Sequence, residues 1–186
     1  MIKNYDDLID YLRCDKRALG IKRACPRPFT DEIWKYEITL RVYEYFLNSN
    51  NPSVIYKFLK ILFKFILHHW SVKLGIYIGA NTCGKGLCIK HPGCVQINWH
   101  AVVGENLCIQ EGVTIGGGRG GAPHIGNNVY LGTGAKVIGG VTVSDDCVVG
   151  ANAVVCKDVL EKHVTVAGVP ARKISDNGSE EYIRRM

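Results

Sequence analysis

Several signals that define common protein classes are missing from this sequence of 186 residues. The N-terminus has no charged-then-apolar signal pattern, and no apolar stretch reaches the roughly 20 residues needed to span a bilayer. No basic run is interleaved with aromatic residues as in a nucleic-acid groove, although the net charge is +6. We therefore expect a cytoplasmic protein that binds no nucleic acid, with a basic bias that suits a small polyanionic ligand.

The eight cysteines include no CxxC pair, a spacing typical of metal and redox sites. Six of them lie in repetitive apolar sequence: Cys83, Cys88, Cys94, Cys108, Cys147 and Cys156. We interpret these six as reduced, small core residues, and we predict no metal site.

The chain divides into parts with different sequence patterns. Residues 1–74 have helical periodicity and are predicted to form an N-terminal helical segment whose third helix runs from Ser53 to about Val72. Residues 75–174 are rich in Gly, Val and Ile and form the predicted main domain, and residues 175–186 are a predicted C-terminal tail.

Three lysines, Lys57, Lys60 and Lys64, fall on one face of the third predicted helix, with apolar residues around the rest. Two interpretations remain open. In the one we favour, the helix packs on a neighbouring subunit and its lysines face solvent. In the other, the basic face makes peripheral contact with an anionic membrane.

Aliphatic residues recur with a period of six through the main domain. The in-phase positions are Ile97, Val103, Ile109 and Ile115, then Ile125, Leu131, Val137, Val143, Val149 and Val155. This period fits neither an α-helix nor an alternating strand, but it fits a prism in which each unit is one short strand plus a turn. Three units make one coil, and coils with aliphatic residues inside stack into a mainly β solenoid.

The period is interrupted between Ile115 and Ile125, where ten residues replace six. The intervening sequence runs from Gly116 to His124 and contains five glycines, so four extra residues leave the prism as a loop. A glycine-rich loop that ends in a histidine is a common way to present a functional group on a rigid scaffold. A phosphate-binding interpretation is weaker, because no Lys-Ser/Thr pair or following helix completes that motif.

From about residue 76 to 174 the sequence resembles the hexapeptide-repeat acyltransferases, and within them the serine acetyltransferase-like group. The most specific parts of the match are the loop from Ile115 to His124 and the run Ala167-Gly168-Val169-Pro170-Ala171-Arg172. The resemblance implies a left-handed parallel β-helix and acetyl-CoA as co-substrate. It also implies a homotrimer, or a dimer of trimers, with acetyl-CoA bound between adjacent prisms.

The resemblance also implies roles for individual residues. By position, Thr133, Ala151, Lys157 and Arg172 match places where such enzymes line the CoA groove, through backbone groups and phosphate-facing cations. Lys157 and Arg172 are the two cations of this set.

Transfer of an acetyl group to a hydroxyl needs a base, and histidine is tuned for that role near neutral pH. His91 aligns with the catalytic histidine of the serine enzymes, although the two carboxylates that accompany it there are replaced by Lys90 and Ile76. His124 matches a histidine that contacts the acceptor and is the second candidate for the base.

The absence of these two carboxylates affects which acceptor is expected. A cation at Lys90 would repel the ammonium group of serine, so the sequence favours a sugar hydroxyl of a surface-polysaccharide precursor. Trp99 would then stack on the sugar ring, and His100 would face the same cleft. The alternative acceptor is serine, as in the first step of cysteine synthesis. An alternative of another class is a scaffold without catalytic activity. A zinc-binding scaffold is also possible in this class, and it would need three histidines at one metal ion.

Overall fold

The computed structural model describes residues 1–183 and consists of three helices followed by a parallel β-helix. The helices are α1 (Tyr5–Ala18), α2 (Glu32–Asn48) and α3 (Val54–Leu74). Gly75 ends α3 in a left-handed conformation, with φ of 68°, and its backbone N–H bonds to the carbonyl of Ser71. A side chain at Gly75 would also approach the backbone nitrogen of Cys94 to 3.0 Å. Glycine therefore suits the point where the helical segment meets the solenoid.

The β-helix contains fourteen short strands among the described residues. They are β1 (Ile76–Ile78), β2 (Cys88–Ile89), β3 (Val95–Ile97), β4 (Val102–Val103), β5 (Cys108–Ile109), β6 (Thr114–Gly116), β7 (His124–Ile125), β8 (Tyr130–Leu131), β9 (Lys136–Ile138), β10 (Thr142–Val143), β11 (Val148–Val149), β12 (Val154–Val155), β13 (Thr165–Ala167) and β14 (Arg172–Ser175). Each strand pairs with the strand one coil away, so the coils stack in parallel up to β13.

Three sheets form the faces of the prism. Sheet A holds β1, β3, β6, β9 and β12, sheet B holds β4, β7 and β10, and sheet C holds β2, β5, β8, β11, β13 and β14. The strand β14 pairs antiparallel with β13 and covers one edge of sheet C. Of the predicted tail, residues 184–186 lie outside the described part of the chain.

The ten aliphatic positions of the six-residue period line the inside of the prism. Each is at most 4% exposed, and they align across coils, as in the pair Val103 with Ile125 and the pair Ile109 with Leu131. Burial of these side chains is the main stabilising contribution in a solenoid whose coils contact only their neighbours.

The cysteines follow the prediction in part. All eight are unpaired thiols, and Cys83, Cys88, Cys108 and Cys147 are buried. Cys94 and Cys156 are exposed, so the interpretation of these two as core residues is wrong. Cys94 has a positive φ of 46° and Cys156 directly follows β12, which places both in turns that project from the prism.

A buried polar network covers the open end of the first coil, where no preceding coil pairs with the backbone. The carboxylate of Asp15 accepts hydrogen bonds from the backbone N–H groups of Gly86 and Leu87, at 2.8 and 2.9 Å. Glu44 accepts one from Asn81 at 2.7 Å. These side chains replace the carbonyl groups that another coil would supply.

Arg41 joins this network and is fully buried. Its guanidinium donates to Asp15 at 2.7 Å, to Glu44 at 3.0 Å, and to the backbone carbonyls of Cys83 and Gly84 at 3.0 and 2.7 Å. The N-terminal helices therefore end the solenoid with charged side chains that satisfy its free backbone groups.

Glu37 lies beside this network, and burial raises its pKa well above the usual value. One carboxyl oxygen accepts the N–H of Ile89 at 3.2 Å. Because the carboxyl is protonated in the folded chain but ionised when unfolded, stability falls as pH rises above about 4.3, the ordinary glutamate pKa.

We predict that Glu37→Gln reduces this loss, so that urea unfolding midpoints at pH 5 and pH 8 differ less than in the wild type. The control Glu32→Gln, at a half-buried carboxylate near Lys73, should keep the wild-type pH dependence, and an unchanged difference between the two midpoints in Glu37→Gln would contradict the raised pKa of Glu37.

Candidate active site

One column of residues lies along the turn from sheet C to sheet A, which we call the CA corner. It contains His91, Glu111, Thr133 and Ala151 in successive coils. Backbone hydrogen bonds hold the turns in register: Lys90 donates to Ile109 at 2.9 Å, and the equivalent bonds link the following coils. The structure therefore brings together His91, Thr133 and Ala151, three residues that the sequence singles out.

His91 projects from an enlarged turn. Ile89 pairs with Ile109 and Ile97 with Ile115, so this turn spans eight positions where the next coil uses six. The two extra residues leave His91 exposed. An imidazole at this position has the solvent access that a general base for a bound hydroxyl requires.

Glu111 packs beneath that turn. A Cβ atom on Gly93 would lie 3.9 Å from the Cβ of Glu111. The pKa of the Glu111 carboxyl is lowered, because its own backbone N–H, the Thr133 side chain and the charge of His91 all favour the ionised form. The sequence did not reveal Glu111. A strict period of six places His91 in phase with Ile97 and hides the two extra residues of the turn, so the alignment of His91 with Glu111 is not apparent.

The side chains at the two positions that replace family carboxylates are less exposed than His91. Ile76 is fully buried in the core of the first coil. Lys90 lines a small cavity with Cys88, Cys108 and Tyr182, on the outer side of sheet C. The Lys90 side chain is half-buried beside this cavity, so it is not a fully exposed cation next to His91.

A second group of predicted residues lies at the turn from sheet A to sheet B, the AB corner. Trp99 is 75% exposed and contacts His100 edge to face, with ring centroids 5.5 Å apart. His124 is the exposed first residue of β7 and pairs in register with Val102 on one side and Thr142 on the other. Trp99 and His100 therefore lie on one turn of the AB corner, and His124 lies at the same corner one coil further along.

The glycine-rich loop at the AB corner is held against the next coil. Gly118 and Gly121 exchange backbone hydrogen bonds of 2.9 and 3.2 Å, and Gly140 donates to the carbonyl of Arg119 at 3.1 Å. A Cβ atom on Gly140 would lie 2.1 Å from the carbonyl oxygen of Gly120, so only glycine allows this approach. The loop is therefore a fixed wall of the AB corner.

The CA and AB corners are opposite edges of sheet A. A three-residue strand such as β3 separates them by about 10 Å. Between them lies an open groove of about 430 Å³, lined in part by Tyr77, Gln96 and Thr114. Within one prism, His91 and His124 therefore do not converge on one point.

A cationic groove lies near the C-terminal end of the prism, with a volume of about 310 Å³. Its lining includes Lys157 and Arg172, the carboxylate of Asp158, and the apolar residues Val159 and Leu160. Lys173 is neutralised there by Glu161 and Asp176, whereas Lys157 and Arg172 are exposed and make no ion pair with the described residues. Two unpaired cations beside apolar surface fit a ligand with phosphate groups and an organic body.

Two features are absent from residues 1–183. No group of three or more His, Cys, Asp or Glu side chains is arranged to hold a metal ion. No helix in that range has the length and apolar character needed to cross a bilayer.

Comparison with known proteins identifies the repeat. Residues 122–157 match the model of the family described as bacterial transferase hexapeptide (six repeats). The solved structure of a serine acetyltransferase from Brucella abortus in complex with coenzyme A superposes with a TM-score of 0.69 and 28% identity, covering 94% of this chain and 70% of that chain. The prism is similar to the hexapeptide-repeat domain of serine acetyltransferases. This similarity confirms the predicted fold class, a left-handed parallel β-helix with N-terminal helices.

Curated relatives of the hexapeptide-repeat domain carry the same name. Serine acetyltransferases from Synechococcus elongatus and Bacillus pumilus are 39% and 38% identical over 107 and 105 residues, which is 55% and 54% of this chain. The alignments span 43% and 48% of those relatives, less than half of their length.

The comparisons bear on the choice between the two expected acceptors. They give no support to a sugar of a polysaccharide precursor and fit the alternative, serine, better. In the structure Ile76 is fully buried and Lys90 is half-buried against Cys88 and Cys108, so the argument from an exposed cation beside His91 does not hold.

Proposed function

We propose that this protein is a cytoplasmic, acetyl-CoA-dependent O-acetyltransferase and that its acceptor is the hydroxyl of serine. The observation that carries the proposal is the CA corner, where His91 stands exposed in one column with Thr133 and Ala151. The similarity of the hexapeptide-repeat domain to serine acetyltransferases supports the choice of reaction and acceptor.

In the proposed reaction, His91 removes the proton from the serine hydroxyl as the oxygen attacks the thioester carbonyl. An oxygen–carbon bond forms, the carbon–sulfur bond breaks, and the imidazolium returns the proton to the departing CoA sulfur. The products are O-acetylserine and CoA.

The acceptor is tested by supplying purified protein with acetyl-CoA and an equimolar mixture of L-serine, free sugars and nucleotide sugars. We expect O-acetylserine as the main acetylated product by mass spectrometry. Acetylation of a sugar with serine left unmodified would overturn the choice of acceptor but keep the reaction class.

For the co-substrate, we propose that Lys157 and Arg172 hold the phosphate groups of acetyl-CoA in the cationic groove. Their lack of ion pairs among residues 1–183 and their position beside Val159 and Leu160 support this role. Thr133 and Ala151 would line the path from that groove toward His91.

Loss of either cation should weaken co-substrate binding. We predict that Lys157→Ala and Arg172→Ala each raise the KM for acetyl-CoA about tenfold, which corresponds to one charge-assisted contact, and change kcat less than about threefold. Initial rates against acetyl-CoA concentration measure both constants. The control Lys162→Ala removes an exposed lysine that pairs with Asp145 and should leave KM unchanged. Equal effects of all three substitutions would show only a general charge effect.

We also propose a homotrimer in which the CA corner of one prism meets the AB corner of the next. This arrangement would bring His91 of one copy toward the Trp99, His100 and His124 group of another, which a single prism keeps apart. In the single chain α3 exposes a series of large apolar side chains: Val54, Ile55, Phe58, Ile61, Leu62, Phe65 and Val72. A surface of this kind favours contact with another copy.

The assembly is tested by light scattering. We predict a trimer or a hexamer for the wild type and a smaller species for the double variant Phe58→Glu, Phe65→Glu. The control Lys60→Glu changes charge on the same helix without removing an exposed apolar side chain and should keep the wild-type mass. A monomeric wild type that floats with anionic vesicles would favour the alternative, peripheral membrane contact by α3.

A further inference from the structure

We propose that Glu111 is the positioning carboxylate of His91, an inference that rests on the proposed function. In this role one carboxylate oxygen accepts the N–H of the imidazole. The other imidazole nitrogen is then unprotonated and available to the acceptor hydroxyl.

The first support is the position of Glu111 in the chain. It follows Gln110 at the same corner as Lys90-His91, one coil further along, and the turns are held by the bonds from Lys90 to Ile109 and from Gly112 to Gly93, both 2.9 Å. Because neighbouring coils are about 4.8 Å apart, a glutamate side chain reaches a histidine in the adjacent turn.

The second support is a hydrogen-bond acceptor atom that has no donor. The Oε2 atom of Glu111 is buried and has no hydrogen-bond partner among residues 1–183. Buried polar atoms are nearly always hydrogen-bonded, so an unpartnered carboxylate oxygen beneath an active-site turn needs an explanation. The imidazole N–H of His91, on the turn above, is a donor of the right kind.

The third support is the charge of the group. His91 is one of the causes that lower the pKa of the Glu111 carboxyl, after its own backbone N–H and the Thr133 side chain. Glu111 is therefore ionised at neutral pH and can stabilise the imidazolium that forms during transfer. Thr133, in the next coil, is another of the groups that lower this pKa.

This arrangement accounts for the substitutions at Lys90 and Ile76. The CA corner gains from the following coil the carboxylate that those two positions lack. Glu111 touches neither substrate in this scheme and acts through His91.

The kinetic test compares Glu111→Gln with the control Glu105→Gln, which removes an exposed carboxylate from another turn of the same coil. We expect Glu111→Gln to lower kcat at least about tenfold with little change in KM, and the control to keep the wild-type rate. Combined with His91→Gln, Glu111→Gln should cause no further loss, and Glu111→Asp should recover part of the rate. A wild-type kcat in Glu111→Gln would overturn the proposal. So would an equal fold-loss of kcat when Glu111→Gln is introduced into the wild type and into His91→Gln.

A spectroscopic test does not depend on activity. Long-range proton–nitrogen NMR of the full chain, with the signals assigned through His91→Gln, reports which imidazole nitrogen carries the proton. We expect one neutral tautomer of His91 in the wild type and a mixture in Glu111→Ala, with thermal unfolding showing that both are folded. The same tautomer ratio in both proteins would overturn the positioning role. Absence of acetyl transfer combined with the expected NMR change would refute the proposed function alone.

Discussion

Replacing His91 with glutamine is expected to lower kcat for acetyl transfer by at least about a hundredfold, the usual contribution of a general base. His91 is exposed and lies at the CA corner with Thr133 and Ala151. Glutamine keeps the polarity of the side chain but cannot take a proton from the acceptor. The measurement is the initial rate of free thiol release at saturating acetyl-CoA and serine.

The matched variants are His124→Gln and His100→Gln at the AB corner. We expect smaller losses there, mainly in the KM for the acceptor, because these residues lie across sheet A from the proposed base. A larger kcat loss in His124→Gln than in His91→Gln would move the base to the AB corner.

Replacing Arg41 with methionine is expected to lower the free energy of unfolding by about 3–5 kcal/mol, the usual cost of leaving buried charges without their partner. The carboxylates of Asp15 and Glu44 would then face each other in the interior. The carbonyls of Cys83 and Gly84 would lose their donor. Urea unfolding followed by circular dichroism measures this loss.

Arg23→Met is the control for Arg41→Met. Arg23 pairs with Asp31 near the surface, so we expect a change below about 1 kcal/mol. Similar losses in the two variants would contradict the view that the Arg41 network replaces a missing coil. If Arg41→Met is too unstable to purify, Arg41→Lys takes its place in the measurement. Lysine keeps the charge but not the forked geometry of the guanidinium.

The sequence was sufficient for the solenoid because its physical cause is local and repeated. Each coil must place one aliphatic side chain inside each face, so the period of six appears directly in the residues from Ile97 to Val155. The third helix was similarly predictable, since Ser53 caps it and its apolar residues recur at helical spacing; it extends to Leu74, two residues beyond the expected end.

The residues that the sequence did not reveal depend on contacts between coils. Glu111 meets the turn of His91 only because the enlarged turn changes the register by two residues. Arg41 meets Asp15, 26 positions away, and the carbonyls of the first coil, because the helices fold over the open end. Lys90 was expected in the acceptor site, but its side chain lies along sheet C, a choice of direction that periodicity does not determine.

The most direct measurement of the central claim is release of free CoA thiol from acetyl-CoA by the purified protein on addition of L-serine. We expect thiol release that depends on both compounds, matches the amount of O-acetylserine formed, and falls at least about a hundredfold in His91→Gln. No serine-dependent release, or release at the same rate without His91, would contradict it.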